Sequence, residues 1–189
     1  MGTQSPGLCT TIGCEYNHPM PANIEIKARV RDFAAFEAHA TALSGGSPQV
    51  IPQEDTFFYV RRGRLKLRQL SLEEAQLVYY ERPNQQGPKR SHYLIFPTTE
   101  PATLKATLSA ALGVRGVVRK TRLLYLVGQT RIHLDDVDGL GCFMELEVVL
   151  RPGQSDAAGQ AIAEDLMHKL GVAKEDLLEG AYMDMLEEK

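Results

Sequence analysis

Charged and apolar residues alternate in four short stretches of this chain, at residues 24–29, 64–68, 131–135 and 144–148. Successive side chains of a β-strand point to opposite faces, so each stretch would place its charges on one face and its apolar residues on the other. The charged face carries both acids and bases. Such a face could bind a divalent cation through its carboxylates and an anion through its Lys and Arg residues.

The acids and the bases fall on different predicted strands. Glu25, Glu145 and Glu147 lie on the first and last strands, whereas most of the bases lie on the middle strands. The first and last strands of a closed barrel can lie side by side, which would cluster the carboxylates. Clustered carboxylates suit Mg²⁺ or Mn²⁺, and bases from several strands would bind a polyphosphate chain.

The elements that must position these residues follow from the hydrophobic period and from the turn residues. Asp32 is suited to cap a helix that ends at Gly45-Gly46, and Ser155 is suited to cap a later one. Further helices are predicted over residues 100–112 and from about Lys174. Strands are predicted near residues 24–29, 53–60, 64–70, 75–82, 91–96, 114–127, 130–135 and 142–150.

Two arrangements of these elements agree with the pattern. In an open sheet, helices would cover the apolar face and the charges would meet bulk water. In a closed barrel, helices packed outside would cover the apolar face, and the charges would point into the lumen. The uneven distribution of the acids favours closure, so we predict an α+β fold with a closed eight-stranded antiparallel β-barrel and helices packed outside.

Composition limits the class of protein. The 189 residues, 43% of them hydrophobic and 24% charged, are typical of one globular domain. A net charge of −3 argues against nucleic-acid binding, and no apolar run is long enough to cross a membrane. Three scattered cysteines fit the cytoplasm. Residues 1–20 are rich in Gly, Thr, Ser and Pro and are predicted to be a disordered leader, with the folded domain over residues 21–189.

Five separated motifs resemble those of the CYTH superfamily, in that family's order. They are Ile24-Glu25-Ile26-Lys27, Leu65-Lys66-Leu67-Arg68, Lys120-Thr121-Arg122, the run from Arg131 to Gly141, and Glu145-x-Glu147. The superfamily includes class IV adenylyl cyclases and thiamine triphosphatases, and its fold is called the triphosphate tunnel. The run His133-Leu134-Asp135-x-Val137-x-Gly139-Leu140-Gly141 is nearest the cyclase branch.

The resemblance implies a role for each matching position. It implies Mg²⁺ or Mn²⁺ as cofactor and a small-molecule triphosphate as ligand: inorganic triphosphate, thiamine triphosphate or ATP. The family includes monomers and homodimers. His133 is interpreted as a hydrogen-bonded lumen residue in preference to a proton-transfer group. The implied metal ligands are Glu25, Asp135, Glu145 and Glu147; the phosphate-binding residues are Lys27, Lys66, Arg68, Arg82, Lys120, Arg122 and Arg131; and the catalytic residues are Lys27, Glu25 and Glu147.

One position departs from the family's opening Glu-x-Glu-x-Lys signature, because Asn23 replaces the first Glu. An amide oxygen can coordinate a cation but carries no charge. Three functions therefore stay open, in this order: a metal-dependent triphosphatase acting on an inorganic or organic triphosphate, a class IV adenylyl cyclase making cyclic AMP and pyrophosphate from ATP, and a module that binds polyphosphate or nucleotide without turnover.

Overall fold

The computed structural model describes residues 20–189. The predicted disordered leader over residues 1–20 lies outside this range except for its last residue. Eight strands alternate irregularly with four helices. The strands are β1 (Ala22–Arg29), β2 (Gln49–Phe58), β3 (Arg64–Gln69), β4 (Ala75–Glu81), β5 (Lys89–Thr98), β6 (Val114–Val127), β7 (Thr130–Val137) and β8 (Gly141–Val149), and the helices are α1 (Phe33–Ser44), α2 (Pro101–Leu112), α3 (Asp156–Lys169) and α4 (Tyr182–Glu187).

The strands form one closed antiparallel barrel in the order β1-β5-β4-β3-β2-β6-β7-β8. Closure depends on β1, which pairs with β5 on one side and with β8 on the other. In the β1–β8 register, Glu25 lies opposite Glu147 and Lys27 lies opposite Glu145. The predicted closed eight-stranded α+β barrel is confirmed, and the first and last strands are neighbours as expected. The open-sheet alternative is wrong.

The principal hydrophobic core lies outside the barrel wall. Ile24, Ile26, Ile132 and Leu146 are fully buried in one cluster beneath α1 and α3, because the helices cover the face opposite the charges. Both helices begin where the sequence predicted. The Asp32 side chain accepts a hydrogen bond from the amide of Ala35, and the Ser155 hydroxyl accepts one from the amide of Ala158.

Helix α2 covers a smaller apolar cluster on the opposite side of the barrel. Leu104 and Leu108 of this helix pack against Phe58, Leu67 and Ala75. Within residues 20–189, no helix is both long enough and apolar enough to cross a membrane.

The C-terminal segment differs from the prediction. We expected a helix from about Lys174, but a single 3-10 turn covers Lys174–Asp176 and α4 begins only at Tyr182. The intervening backbone bonds to the barrel instead. Leu177 forms a β-bridge with Ala28, and the Leu178 amide donates to the carbonyl oxygen of Lys27. Backbone N–H and C=O groups of this segment therefore bond to β1, whereas in a helix they would bond to each other. The segment crosses one end of the barrel in an extended form.

Candidate active site

The barrel encloses a cavity of about 340 Å³ whose lining is dominated by charge. Because the side chains of a strand alternate between its two faces, every second residue of each strand points inward. Residues from all eight strands therefore line the cavity. Within residues 20–189, seven cationic side chains and four carboxylates line the cavity, an excess of three positive charges in the lining. The cations are Lys27, Lys66, Arg68, Arg82, Lys120, Arg122 and Arg131, and the carboxylates are Glu25, Asp55, Glu145 and Glu147.

Every predicted phosphate-binding residue therefore lines the tunnel, as do three of the four predicted metal ligands. The exception is Asp135, which is fully buried behind Arg122. Its two carboxylate oxygens accept hydrogen bonds from the Arg122 guanidinium at 2.7 and 2.6 Å, and the Tyr182 hydroxyl donates to it at 3.0 Å. Asp135 thus orients a base of the tunnel wall. Its predicted role as a metal ligand stays a prediction.

The carboxylates on β8 are held by neighbouring bases. Glu145 lies 2.8 Å from the Lys27 ammonium through Oε1 and 2.6 Å from the Arg122 guanidinium through Oε2. Burial raises the pKa of Glu145, but the positive charges of Lys27 and Arg122 outweigh burial and keep that pKa well below its usual value. Glu145 is therefore ionised throughout the physiological range.

The two remaining predicted acids differ in their environment. Glu147 Oε2 lies 2.7 Å from Arg131, and the neighbouring bases outweigh burial to lower the pKa of Glu147 to about 2. Glu25 lies 3.4 Å from the nearest guanidinium nitrogen of Arg82, and burial raises its pKa above the usual value. Proximity to Glu145 adds to this rise, since like charges disfavour ionisation.

Sequence reasoning missed Asp55, the acid at the centre of the opposite wall. Its side chain is almost completely buried and lies 2.7 Å from Lys66, 2.9 Å from Arg68 and 3.6 Å from Lys120. Burial, together with the positive charge of Arg68, lowers the pKa of Lys66 to about 7, although Asp55 acts in the opposite direction. The sequence holds two adjacent acids, Glu54 and Asp55. Only a known β2 register could have shown that Asp55 is the inward one.

The tunnel has one closed end and one open end. At the closed end, Tyr182 places its ring 3.5 Å from the Lys27 ammonium nitrogen, within an apolar cluster that includes Phe143 and Met183. The open end is lined by Ile51, Ile95 and Leu124, of which Ile95 is half exposed. Sequence reasoning missed Tyr182, because it lies beyond the last barrel strand and carries no motif of its own.

Several polar atoms of the lining have no hydrogen-bond partner among the described residues. They are Asn23 Oδ1, Gln53 Oε1, Arg82 Nε and His133 Nδ1, all buried. Burial lowers the pKa of His133. In residues 20–189, one set of potential ligand atoms lies mutually within 4.8 Å, and it comprises His133, Glu145 and Glu147. Two carboxylates and an imidazole fit a divalent cation, so the site can accommodate a metal.

Comparison with known proteins gives one family and several similar folds. The family model of the CYTH domain matches residues 21–182. The PH1012 protein from Pyrococcus horikoshii OT3 is 24% identical with a TM-score of 0.76, over 86% of this chain and 98% of that chain. A candidate adenylate cyclase from Vibrio parahaemolyticus is 16% identical with a TM-score of 0.70, over 89% and 99%.

The same fold occurs in a chain of the Mediator head module from Schizosaccharomyces pombe, at 10% identity and a TM-score of 0.60, over 79% of this chain and 94% of that chain. A comparison with curated proteins found no match. At these identities the structures show a shared fold and assign no reaction to this chain.

Proposed function

The chain belongs to the CYTH family, and from that premise we propose that it is a metal-dependent triphosphatase. The substrate is a small-molecule triphosphate that binds in the tunnel. The reaction transfers the terminal phosphoryl group to water, breaking the bond to the bridging oxygen and releasing orthophosphate and a diphosphate.

The observation that carries this proposal is the buried excess of positive charge. Of the residues that the structure describes, seven with cationic side chains and four with carboxylates line one cavity. Burial of unpaired charge is costly. With Asp135 counted as a further partner of Arg122, an excess of two positive charges is left, and it favours a ligand with several negative charges. A triphosphate carries that charge along a narrow chain, and it matches a tunnel better than a single carboxylate or sulfate does.

The arrangement of the bases supports binding along the whole chain of phosphates. Lys66 and Arg68 come from β3, Lys120 and Arg122 from β6, and Arg82 follows β4 and lies beside Glu25 of β1. Guanidinium groups bind phosphate oxygens in pairs and hold them in a fixed orientation. Bases on several walls can therefore grip successive phosphates and neutralise the charge that develops during transfer.

Glu145 and Glu147 are the proposed metal ligands, with Glu25 beside them. A divalent cation bound there would neutralise phosphate charge and polarise the phosphorus–oxygen bonds. Glu25 and Glu147 are directly opposite in the β1–β8 register, so both side chains face the same part of the lumen. We assign Lys27, which lies between Glu145 and the Tyr182 ring, to the bound phosphate nearest the closed end.

Turnover of a substrate panel tests the proposal. The panel contains inorganic triphosphate, thiamine triphosphate and ATP, each with Mg²⁺ and with Mn²⁺, and phosphate, pyrophosphate and cyclic AMP are assayed separately. We expect phosphate release that a chelator abolishes. Cyclic AMP with matching pyrophosphate would instead establish a cyclase, and binding without any product would establish a binding module.

Glu147→Gln connects this activity to the tunnel. We expect the substitution to lower metal-dependent turnover at least 100-fold with the fold intact, because it removes a charged ligand without changing the side-chain size. Glu164→Gln, at an exposed position of α3, is the matched control and should leave the rate unchanged. An unchanged rate in Glu147→Gln would remove this residue from the site.

A further inference from the structure

Among the described residues that line the tunnel, His133 is the one with an imidazole side chain. It lies on β7 between the outward-facing residues Ile132 and Leu134, opposite Glu145 in the β7–β8 register. Only 4% of the residue is exposed, and Nδ1 has no hydrogen-bond partner among the described residues. A buried imidazole nitrogen without a partner calls for an explanation.

Two carboxylates face this nitrogen at an informative distance. His133 Nδ1 lies 3.9 Å from Glu145 Oε2 and 3.9 Å from Glu147 Oε1. Both distances are too long for hydrogen bonds. They match two ligands of a single ion, because bonds of about 2.1 Å place ligand atoms roughly 3 to 4.2 Å apart.

The neighbouring bases leave ligand capacity on both carboxylates. Arg131 occupies Glu147 Oε2, so Oε1 is the oxygen left toward the imidazole. Glu145 Oε2 accepts one hydrogen bond from Arg122 and retains a second lone pair. The nitrogen and the two oxygens therefore lie within reach of one ion without any change in the paired bases.

We infer that His133 Nδ1 is a direct metal ligand, and that the ion is a first-row transition metal such as Mn²⁺ in preference to Mg²⁺. This inference rests on the proposed metal-dependent function and names its ion. Mg²⁺ prefers oxygen ligands and retains much of its water, whereas an imidazole favours the transition ions. The site is thus one nitrogen and two oxygens, with Asn23, at the position of the missing acid, outside the set.

The competing role for His133 is that of a hydrogen-bond donor to a bound phosphate oxygen. That role requires no bond between the imidazole and the ion. It also predicts that metal binding in the absence of triphosphate does not involve His133. The two roles are therefore separated by measuring the protein with metal alone.

The experiment is pulsed electron paramagnetic resonance on the full chain with Mn²⁺ and no triphosphate. A directly bound imidazole gives ¹⁴N modulation of the Mn²⁺ signal. We expect this modulation in the unmodified protein and in His168→Gln, a control at an exposed position of α3. We expect it to be lost in His133→Gln, together with at least a tenfold fall in Mn²⁺ affinity and little change in Mg²⁺ affinity.

Bound Mn²⁺ without ¹⁴N modulation in the unmodified protein would overturn the inference, and that spectrum decides the matter even if the His133 variant fails to fold. Failure of the proposed function is separate, since it would appear as absent turnover beside an intact ¹⁴N signal. Persistent modulation in folded His133→Gln would also overturn the assignment to this residue.

Discussion

In the ligand-free tunnel, the basic side chains that would bind a ligand already form ion pairs with carboxylates. Glu145 contacts Lys27 and Arg122, and Asp55 contacts Lys66 and Arg68. A bound polyphosphate would take over part of the bonding of these bases. The carboxylates hold the bases in position beforehand, which lowers the cost of ordering them when the anion enters.

Lys66 links anion binding to proton uptake. Burial lowers its pKa to about 7, so at pH 8 most of the free protein carries a neutral Lys66. The charge of a triphosphate favours the ammonium form and raises the pKa, so binding takes up a proton and affinity falls as the pH rises above 7. We expect calorimetry in buffers of different ionisation enthalpy to detect an uptake approaching one proton at pH 8 and little at pH 6.

Lys66→Arg is the control for this linkage, because arginine keeps the charge but does not titrate in this range. Any protons taken up by the triphosphate itself are also taken up with the variant. The uptake measured with the variant is therefore subtracted from that of the unmodified protein. Equal uptake by the two proteins would show that Lys66 does not titrate near pH 7.

Asp55 stabilises the empty tunnel and weakens its attraction for anions. Asp55→Asn leaves Lys66, Arg68 and Lys120 without their shared counter-charge, so we expect the free energy of unfolding to fall by about 3 kcal/mol. Triphosphate should raise the melting temperature of the variant more than that of the unmodified protein, because it supplies the missing charge.

Glu54→Gln is the matched control for Asp55→Asn. Glu54 is the next residue along β2, and its partners Lys105 and Arg119 are on the partly exposed outer side. A loss below about 1 kcal/mol is expected there. If both substitutions lower the free energy of unfolding by the same amount, the buried position of Asp55 adds nothing to its contribution to stability.

At the scale of elements, the helices hold the tunnel from two directions. The α4 segment closes one end through Tyr182, while α3 packs across β1, whose inward residues include Glu25 and Lys27. Close contact between α3 and β1 depends on Gly159. A Cβ atom at that position would lie 2.7 Å from Ile24 Cγ1 and 2.6 Å from Leu150 Cδ2.

Gly159→Ala should therefore lower the free energy of unfolding by about 1 kcal/mol or more. Alanine favours the helix by about 1 kcal/mol, but overpacking against the fully buried Ile24 typically costs 1 to 3 kcal/mol. Urea denaturation measures the difference. Gly46→Ala is the control, since nothing lies within 4 Å of its added Cβ, and a stabilised Gly159→Ala would show that α3 can shift freely on β1.

At the scale of the whole molecule, the barrel closes through a strand from each end of the domain. β1 pairs with both β5 and β8, so removing it would break two seams of the sheet. It would also remove Ile24 and Ile26 from the principal core. We therefore expect β1 to open only when the whole domain unfolds.

Hydrogen exchange tests this cooperativity. We expect the amides of Ile24 and Ile26 to exchange with the same free energy as those of Ile132 and Leu146, within about 1 kcal/mol, because all of them open only on global unfolding. Faster exchange confined to β1 would show that the barrel opens at this seam.

The strand period determined much of this protein from sequence alone. Because side chains of a strand alternate between faces, the charges within each strand had to share a face, as Glu25 does with Lys27 and Lys66 does with Arg68, and the number and type of elements followed from the sequence pattern. Tertiary structure decided what that face encloses. Several features depend on contacts between residues far apart in the chain. They are the closure of the barrel, the inward position of Asp55, the position of Asp135 behind Arg122 and the closure of one tunnel end by Tyr182. The register between strands that are distant in the chain is set by the packing of the whole domain, and the contacts of a side chain inside the lumen follow from that register.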